Sequence, residues 1–150
     1  MACCVLGLSN FGESRFNKPQ RRLGPKTPIG ATDALTAADM PIGTRVFTSY
    51  EFADYVLWRT WPEHRVLLTS HVHLLAPPEW QRYLTITRLE RGWLQRFEEL
   101  KATAVVLDIR RHSQLAQALE QTGDWQLMSA DEVAIALVQK QSVAEPAERR

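Results

Sequence analysis

The residues best suited to chemistry in this chain gather between positions 45 and 75. His71 and His73 alone hold half of its four histidines. In an extended backbone, residues two apart point to one face, and two imidazoles on one face can share a metal ion. A third ligand would have to come from elsewhere, with His64, His112, Glu51 and Asp54 as the available donors. No helical H-E-x-x-H and no metal-type carboxylate pair accompanies them, so loop hydrogen bonding is the plainer role for both rings. Upstream, Tyr50, Glu51 and Asp54 follow a strand-like run directly. The positive end of a following helix stabilises carboxylates there as caps; the same place suits a sugar hydroxyl or a proton acceptor. No nucleophile or activated water partners the two acids, so capping is the expectation. Tyr50, Glu51, Asp54, Ser70, His71 and His73 are thus the candidates for ligand contact. No catalytic residue and no cofactor is expected, and a metal only through His71 and His73.

Other chemistry-bearing residues have plain structural roles. Asp108 ends a third apolar run and precedes Arg110, Arg111 and His112, where a loop salt bridge is the commoner outcome. The tryptophans Trp58, Trp61, Trp80, Trp93 and Trp125 suggest sugar stacking, but four lie in or beside helix-like segments, and core packing explains them first. There is no Gly-rich phosphate loop, no G-x-S-x-G elbow and no cysteine beside a plausible base.

The elements that position these residues follow from periodicity. Residues 45–49 and 65–70 read as strands, the second apolar throughout as if covered on both faces. Between them, Phe52, Tyr55 and Val56 make a short helical stripe that Pro62 ends. Pro77 and Pro78 open a helix in which Trp80, Tyr83, Leu84 and Thr87 share a stripe. Gly92 separates it from a second stripe of Trp93, Leu94, Phe97 and Leu100. Residues 103–109 form a third strand, and Ser113 caps a helix through Thr122 that Gly123 stops. Residues 125–129 and 133–139 then make two strands joined by a turn. A shorter helix over 32–38, capped by Thr32 or Asp33, precedes the first strand. The pattern predicts an α/β fold: a small mixed sheet of about five strands with flanking helices and a C-terminal antiparallel hairpin.

At 150 residues the chain fits one domain, with a domain core over 41–140. Its 45% hydrophobic, 23% charged composition and net charge of +1 exclude a broadly basic nucleic-acid surface. Residues 1–40 read as a flexible basic leader and residues 141–150 as a disordered tail. Within the leader, positions 12–30 carry five cations against Glu13 alone, for a net +4. That charge suits a solvated tether or contact with anionic lipid headgroups. Adjacent Cys3 and Cys4 form neither a disulfide framework nor a zinc knuckle. The opening stretch is too short to cross a bilayer and lacks a signal-peptide pattern.

From about residue 43 to 138 the chain resembles the C-terminal soluble module of bacterial GT-C-like multi-spanning membrane glycosyltransferases, which use lipid-linked sugars. The resemblance rests on Gly43-Thr44-Arg45-Val46-Phe47, Tyr55-Val56-Leu57-Trp58, Pro62 to Leu67, Gly92-Trp93, Ala104 to Leu107, Trp125 to Met128 and Val133 to Leu137, in that order. Many members end the second strand in Asp-Gly-Arg; here Thr69-Ser70-His71 stands instead, similar to a planctomycete-type variant. Whatever that triplet does in its relatives therefore does not carry over.

The resemblance implies an accessory domain on the extracytoplasmic face of a membrane enzyme whose catalytic carboxylate lies in an early loop of a transmembrane helical bundle. Residues 3–8 would then be the last fragment of a spanning helix. The basic leader argues the other way, toward a cytoplasmic side. Partners would be that bundle and a lipid-linked sugar or glycan, without nucleic acid. Two other classes stand beside this reading: a stand-alone small α/β enzyme or metal-binding protein using His71 and His73, and a purely structural or interaction domain.

Overall fold

A computed structural model describes residues 23–140. The order of elements is α1 (Ile29–Ala37), β1 (Arg45–Thr48), a 3-10 turn (Tyr50–Phe52), α2 (Ala53–Thr60), β2 (Arg65–Val66), a second 3-10 turn (Val72–Leu74), α3 (Pro77–Thr87), α4 (Trp93–Glu99), β3 (Ala104–Asp108), α5 (Ile109–Gln121), β4 (Trp125–Ala130) and β5 (Ala134–Gln139). The five strands form one sheet in the order β2-β1-β3-β5-β4. β1 runs parallel to both β2 and β3, whereas β3–β5 and β5–β4 are antiparallel. The small mixed α/β sheet with its C-terminal hairpin stands as the alternating strand and helix patterns predict.

Helices cover both faces of the sheet. On one, Phe47, Val105, Leu107 and Leu137 pack with Tyr83 and Ile86 of α3, Phe97 of α4, and Leu115 and Leu119 of α5. On the other, Val46, Val106, Ala136 and Val138 meet Ala31 and Leu35 of α1, Phe52, and Val56 of α2. β3 lies at the centre, with Ala104 to Leu107 all buried, so an unbroken apolar run is what its two covered faces require. Gly92 and Gly123 both hold φ at +83°, the left-handed region that only glycine adopts freely, and they separate α3 from α4 and close off α5.

Several boundaries differ from the sequence reading. The strand expected over 65–70 is only Arg65–Val66, and it lies at the sheet edge instead of being covered on both faces. Its apolar continuation, Leu67 and Leu68, packs on the core, with one last bond to β1 from the Leu67 N–H to the Val46 carbonyl at 3.0 Å. The folded domain also begins earlier than residue 41. Ala31, Thr32 and Leu35 of α1 are fully buried, so residues 29–37 belong to the core and not to a leader. No side chain caps α1; the Thr32 hydroxyl donates back to the Pro28 carbonyl at 2.7 Å. The remainder of the leader through residue 22 and the tail from 141 lie outside the described residues. Among the described residues, no helix is long and apolar enough to cross a membrane.

Candidate functional site

The sheet order creates one natural crevice. β1 leads through α2 to β2 on one side, while β3 leads through α5 toward the β4–β5 hairpin on the other. The chain therefore leaves two neighbouring parallel strands in opposite directions. Such a divergence at the carboxyl ends of strands opens the gap where α/β sheets receive ligands. A cleft of about 680 Å³ lies there, lined by Lys26, Glu51, Asp108, Arg110, Arg111 and Glu132 among others.

At the root of this crevice, Ser49 follows β1 and is fully buried. Its hydroxyl oxygen accepts the Asp108 backbone N–H at 2.8 Å and lies 2.7 Å from Nδ1 of His112. The hydroxyl and the ring nitrogen thus share one proton between them, in the direction that the ring tautomer sets. Burial lowers the pKa of His112, with Glu51 and Asp108 acting in the opposite direction, and favours the neutral ring. The Ser49–His112 contact bolts the end of β1 to the first turn of α5, and it coincides with non-helical backbone at His112 (φ −127°, ψ 21°).

Charged residues above this bolt are mutually engaged. One Asp108 carboxylate oxygen accepts the Arg110 backbone N–H at 2.8 Å and so caps α5, while the other lies 3.9 Å from Nε of Arg111. Glu51 reaches Arg111 at 2.6 Å. The charge of Glu51 raises the pKa of Arg111 and holds the guanidinium in its charged state. Beside them, Tyr50 donates its backbone N–H to the Tyr83 hydroxyl at 3.2 Å. Tyr50, Trp80 and Tyr83 form an aromatic cluster in which the Trp80 and Tyr83 rings stack at 5.1 Å. Desolvation raises the Tyr83 pKa, so its hydroxyl stays protonated.

The residues singled out from sequence divide between two places. Tyr50 and Glu51 stand at the crevice. Asp54, in the first turn of α2, instead accepts hydrogen bonds from the Ser70 hydroxyl and, at 3.3 Å, from the Ser70 backbone N–H. Neither Glu51 nor Asp54 caps α2, because both carboxylates are committed to partners elsewhere in the chain. His71 and His73 do not share a strand face. The chain turns into a 3-10 helix at Val72–Leu74, and the exposed rings meet edge-to-face at 5.8 Å. Among the described residues no three His, Cys, Asp or Glu side chains gather as metal ligands, and His64 is buried in the turn before β2.

Two further expectations change. The helix expected from Ser113 starts at Ile109 with Asp108 as its cap, although the backbone at His112 interrupts it just before Ser113. Core packing accounts for Trp125 and for the partly buried Trp80 and Trp93, but Trp58 and Trp61 are 63% and 70% exposed. No motif marks Ser49 in the sequence, and Arg111 stands there only as a loop cation. The available signal was positional: each immediately follows or lies just beyond a parallel strand.

The Ser49–His112 pair has its hydroxyl sealed from solvent, and the neighbouring acids are held by an arginine and a helix amide. Comparison with protein families, curated proteins and solved structures finds no match to this chain.

Proposed function

We propose that this chain is a non-catalytic recognition domain that uses the crevice at the ends of β1 and β3 as its contact surface. The observation that carries this reading is the burial of Ser49. The hydroxyl placed against a histidine is 0% exposed and is used to join two elements, so it cannot attack a substrate. What remains open at the crevice is a surface of charged groups, suited to orienting a polar ligand.

The setting follows from the resemblance to GT-C-like membrane glycosyltransferases. In that setting the domain presents an acceptor or a lipid-linked sugar to a catalytic centre elsewhere in the parent protein, on the extracytoplasmic face. The carboxylate of Glu51 and the exposed cations Lys26 and Arg110 in the lining support this, because sugar hydroxyls are held by hydrogen bonds to charged side chains. The test is amide-resolved NMR of the domain with a short-chain polyprenyl-phosphate hexose. Movement of the Glu51, Asp108 and Arg111 signals with no released sugar is the expected result. Released sugar makes the domain an enzyme, and an unmoved spectrum leaves a purely structural or interaction domain.

A further inference from the structure

We propose that the open edge of the sheet at β2 is a dimer interface, and that its occupant is the same edge of a second copy of this chain. The sheet has two outer strands. Along β4 the ladder shifts register between Leu127 and Ser129, a bulge of the kind that guards an edge against further pairing. No such shift interrupts β2. The Arg65 and Leu67 N–H groups donate to the Thr44 and Val46 carbonyls at 2.8 and 3.0 Å. Val66 lies between them, so its N–H and C=O point away from β1, where neither finds a partner among the described residues. Apolar side chains flank this free edge. Asp54, Leu57, Trp58 and Trp61 follow the i, i+3, i+4, i+7 spacing of one helical stripe along α2 and its C-cap. Asp54 bonds Ser70, beyond β2, whereas Arg59 on the opposite flank pairs with Asp33 of α1. The stripe therefore faces the β2 edge, and Leu57, Trp58 and Trp61 are all exposed along it. On the other face of the sheet, Leu67, Leu68 and Leu75 line a hollow of about 100 Å³.

Complementarity identifies the occupant. Two identical edges meet about a twofold axis, which makes the paired strands antiparallel. Val66 opposite the partner's Val66 then exchanges both backbone hydrogen bonds, as a hydrogen-bonded pair of an antiparallel ladder does. The same axis brings the two α2 stripes together on one side of the joined sheet. On the other side the charges match. Arg65 shares its face with Arg45, whose Nε donates to the Leu100 carbonyl, and Leu100 lines the hollow whose rim carries Glu79 and Arg82. Among the described residues none of Arg65, Glu79 and Arg82 takes part in an ion pair. Across the axis Arg65 stands opposite the partner's Leu67, at the mouth of that hollow, where it meets the partner's Glu79. The two exposed tryptophans present about 300 Å² of apolar surface per copy. With Leu57, the hollow and the strand edges, two copies bury about 1,200 Å², the lower limit of a stable interface. Around this edge Asp54, Glu63 and Glu79 outnumber Arg65 and Arg82, so no excess of cations draws it to an anionic membrane. The crevice lies on the far side of β1 and stays open in such a dimer, so recognition there and pairing here fail independently.

The experiment is sedimentation of the full chain, in reductant so that Cys3 and Cys4 cannot link two copies. At about 100 μM the mass is expected to approach twice the 17.1 kDa of one chain, for a dissociation constant of about 10 μM. Amide hydrogen exchange supplies a second reading. Val66 exchanges slowly at that concentration and quickens on dilution, as an amide bonded only across the interface must. Trp58→Gln combined with Trp61→Gln weakens association at least about tenfold. Arg65→Glu and Glu79→Arg each weaken it as well, whereas a mixture of those two single variants restores the dimer, because each altered side chain then meets an opposite charge across the axis. Loss of folding cannot produce that rescue. A full chain that stays monomeric at about 100 μM overturns the proposal. A dimer whose Val66 amide exchanges at the monomer's rate overturns it too, since the copies then meet elsewhere. In a monomeric chain, movement of the Trp58 and Trp61 indole signals on phosphatidylcholine vesicles assigns the stripe to a membrane instead.

Discussion

The crevice between β1 and β3 and the turn at residues 70–73 are built on different principles. At the crevice, partners are distant in sequence: Ser49 and His112 lie 63 residues apart, and Ser49 and Asp108 lie 59 apart. At the turn, His71 and His73 are neighbours whose rings meet each other and stand exposed to solvent. The first cluster exists only because the sheet brings two parallel strand ends together. The second exists in the sequence itself, and the fold commits little to it. Polar side chains crowded in the chain thus mark a weaker candidate than those which topology gathers from afar.

The sharpest way to break this comparison is at its most buried member. Ser49→Ala removes a hydroxyl that serves both the Asp108 amide and Nδ1 of His112, and leaves both groups short of a partner. A loss of about 2 kcal/mol is expected in urea unfolding. The adjacent residue supplies the control. Thr48 is equally buried, but its hydroxyl has no hydrogen-bond partner, so Thr48→Val is expected to be neutral or stabilising. Equal losses from the two substitutions would show that burial alone, and not the bolt between β1 and α5, sets the cost.

A pH series probes the same bolt. Burial holds the pKa of His112 below the usual histidine value near 6.5, so the unfolded chain takes up a proton more readily than the folded one. Stability from this group is complete above the unfolded pKa. It declines as pH falls below about 6.5 toward the lower folded value. Urea midpoints measured between neutral and mildly acidic pH should fall accordingly, and His112→Gln should flatten this part of the decline. An unchanged slope in that variant would assign the acid sensitivity to other groups.

Asp108→Ala comes next, with an expected loss of about 1 kcal/mol from the α5 cap, whereas Asp108→Asn retains most of it because asparagine caps nearly as well. If Asn costs as much as Ala, the carboxylate acts chiefly through Arg111 and not through the helix amide.

What the sequence disclosed and withheld follows the same divide between local and distant order. The central strand was legible because Ala104 to Leu107 are apolar on both faces, and the hairpin because two short apolar runs flank Asp131 and Glu132. Proline and glycine marked the borders of α3 and α4. The length of β2 was not legible. Arg65 to Leu68 has a strand's composition, but the pairing with β1 ends after the Leu67 N–H reaches the Val46 carbonyl at 3.0 Å, and the Leu67 and Leu68 side chains turn to hydrophobic contact with the core. The depth of α1 was hidden too, because a short Ala- and Thr-rich segment has a weak periodic signal until a sheet face covers it. Of the candidate site, Tyr50 and Glu51 were visible as residues following a strand. Their pairing with Tyr83 and Arg111 was not, since the packing of α3 on the sheet decides the first and the pairing of β1 with β3 decides the second.

The smallest effects belong to the turn. His71→Ala with His73→Ala should change stability by no more than about 0.5 kcal/mol, as for exposed side chains outside any buried network. Asp54→Ala distinguishes exposure from looseness. Its carboxylate is the contact that ties Ser70, and with it the start of this turn, to the first turn of α2. Because that tether is exposed, its removal is expected to cost less than about 1 kcal/mol globally. Locally the effect is larger in kind: amide hydrogen exchange at residues 70–73 should quicken while the crevice amides at 108–112 keep their protection. Exchange that quickens at both places would mean that the two regions open as one unit, and the contrast between a topological site and a local one would fail.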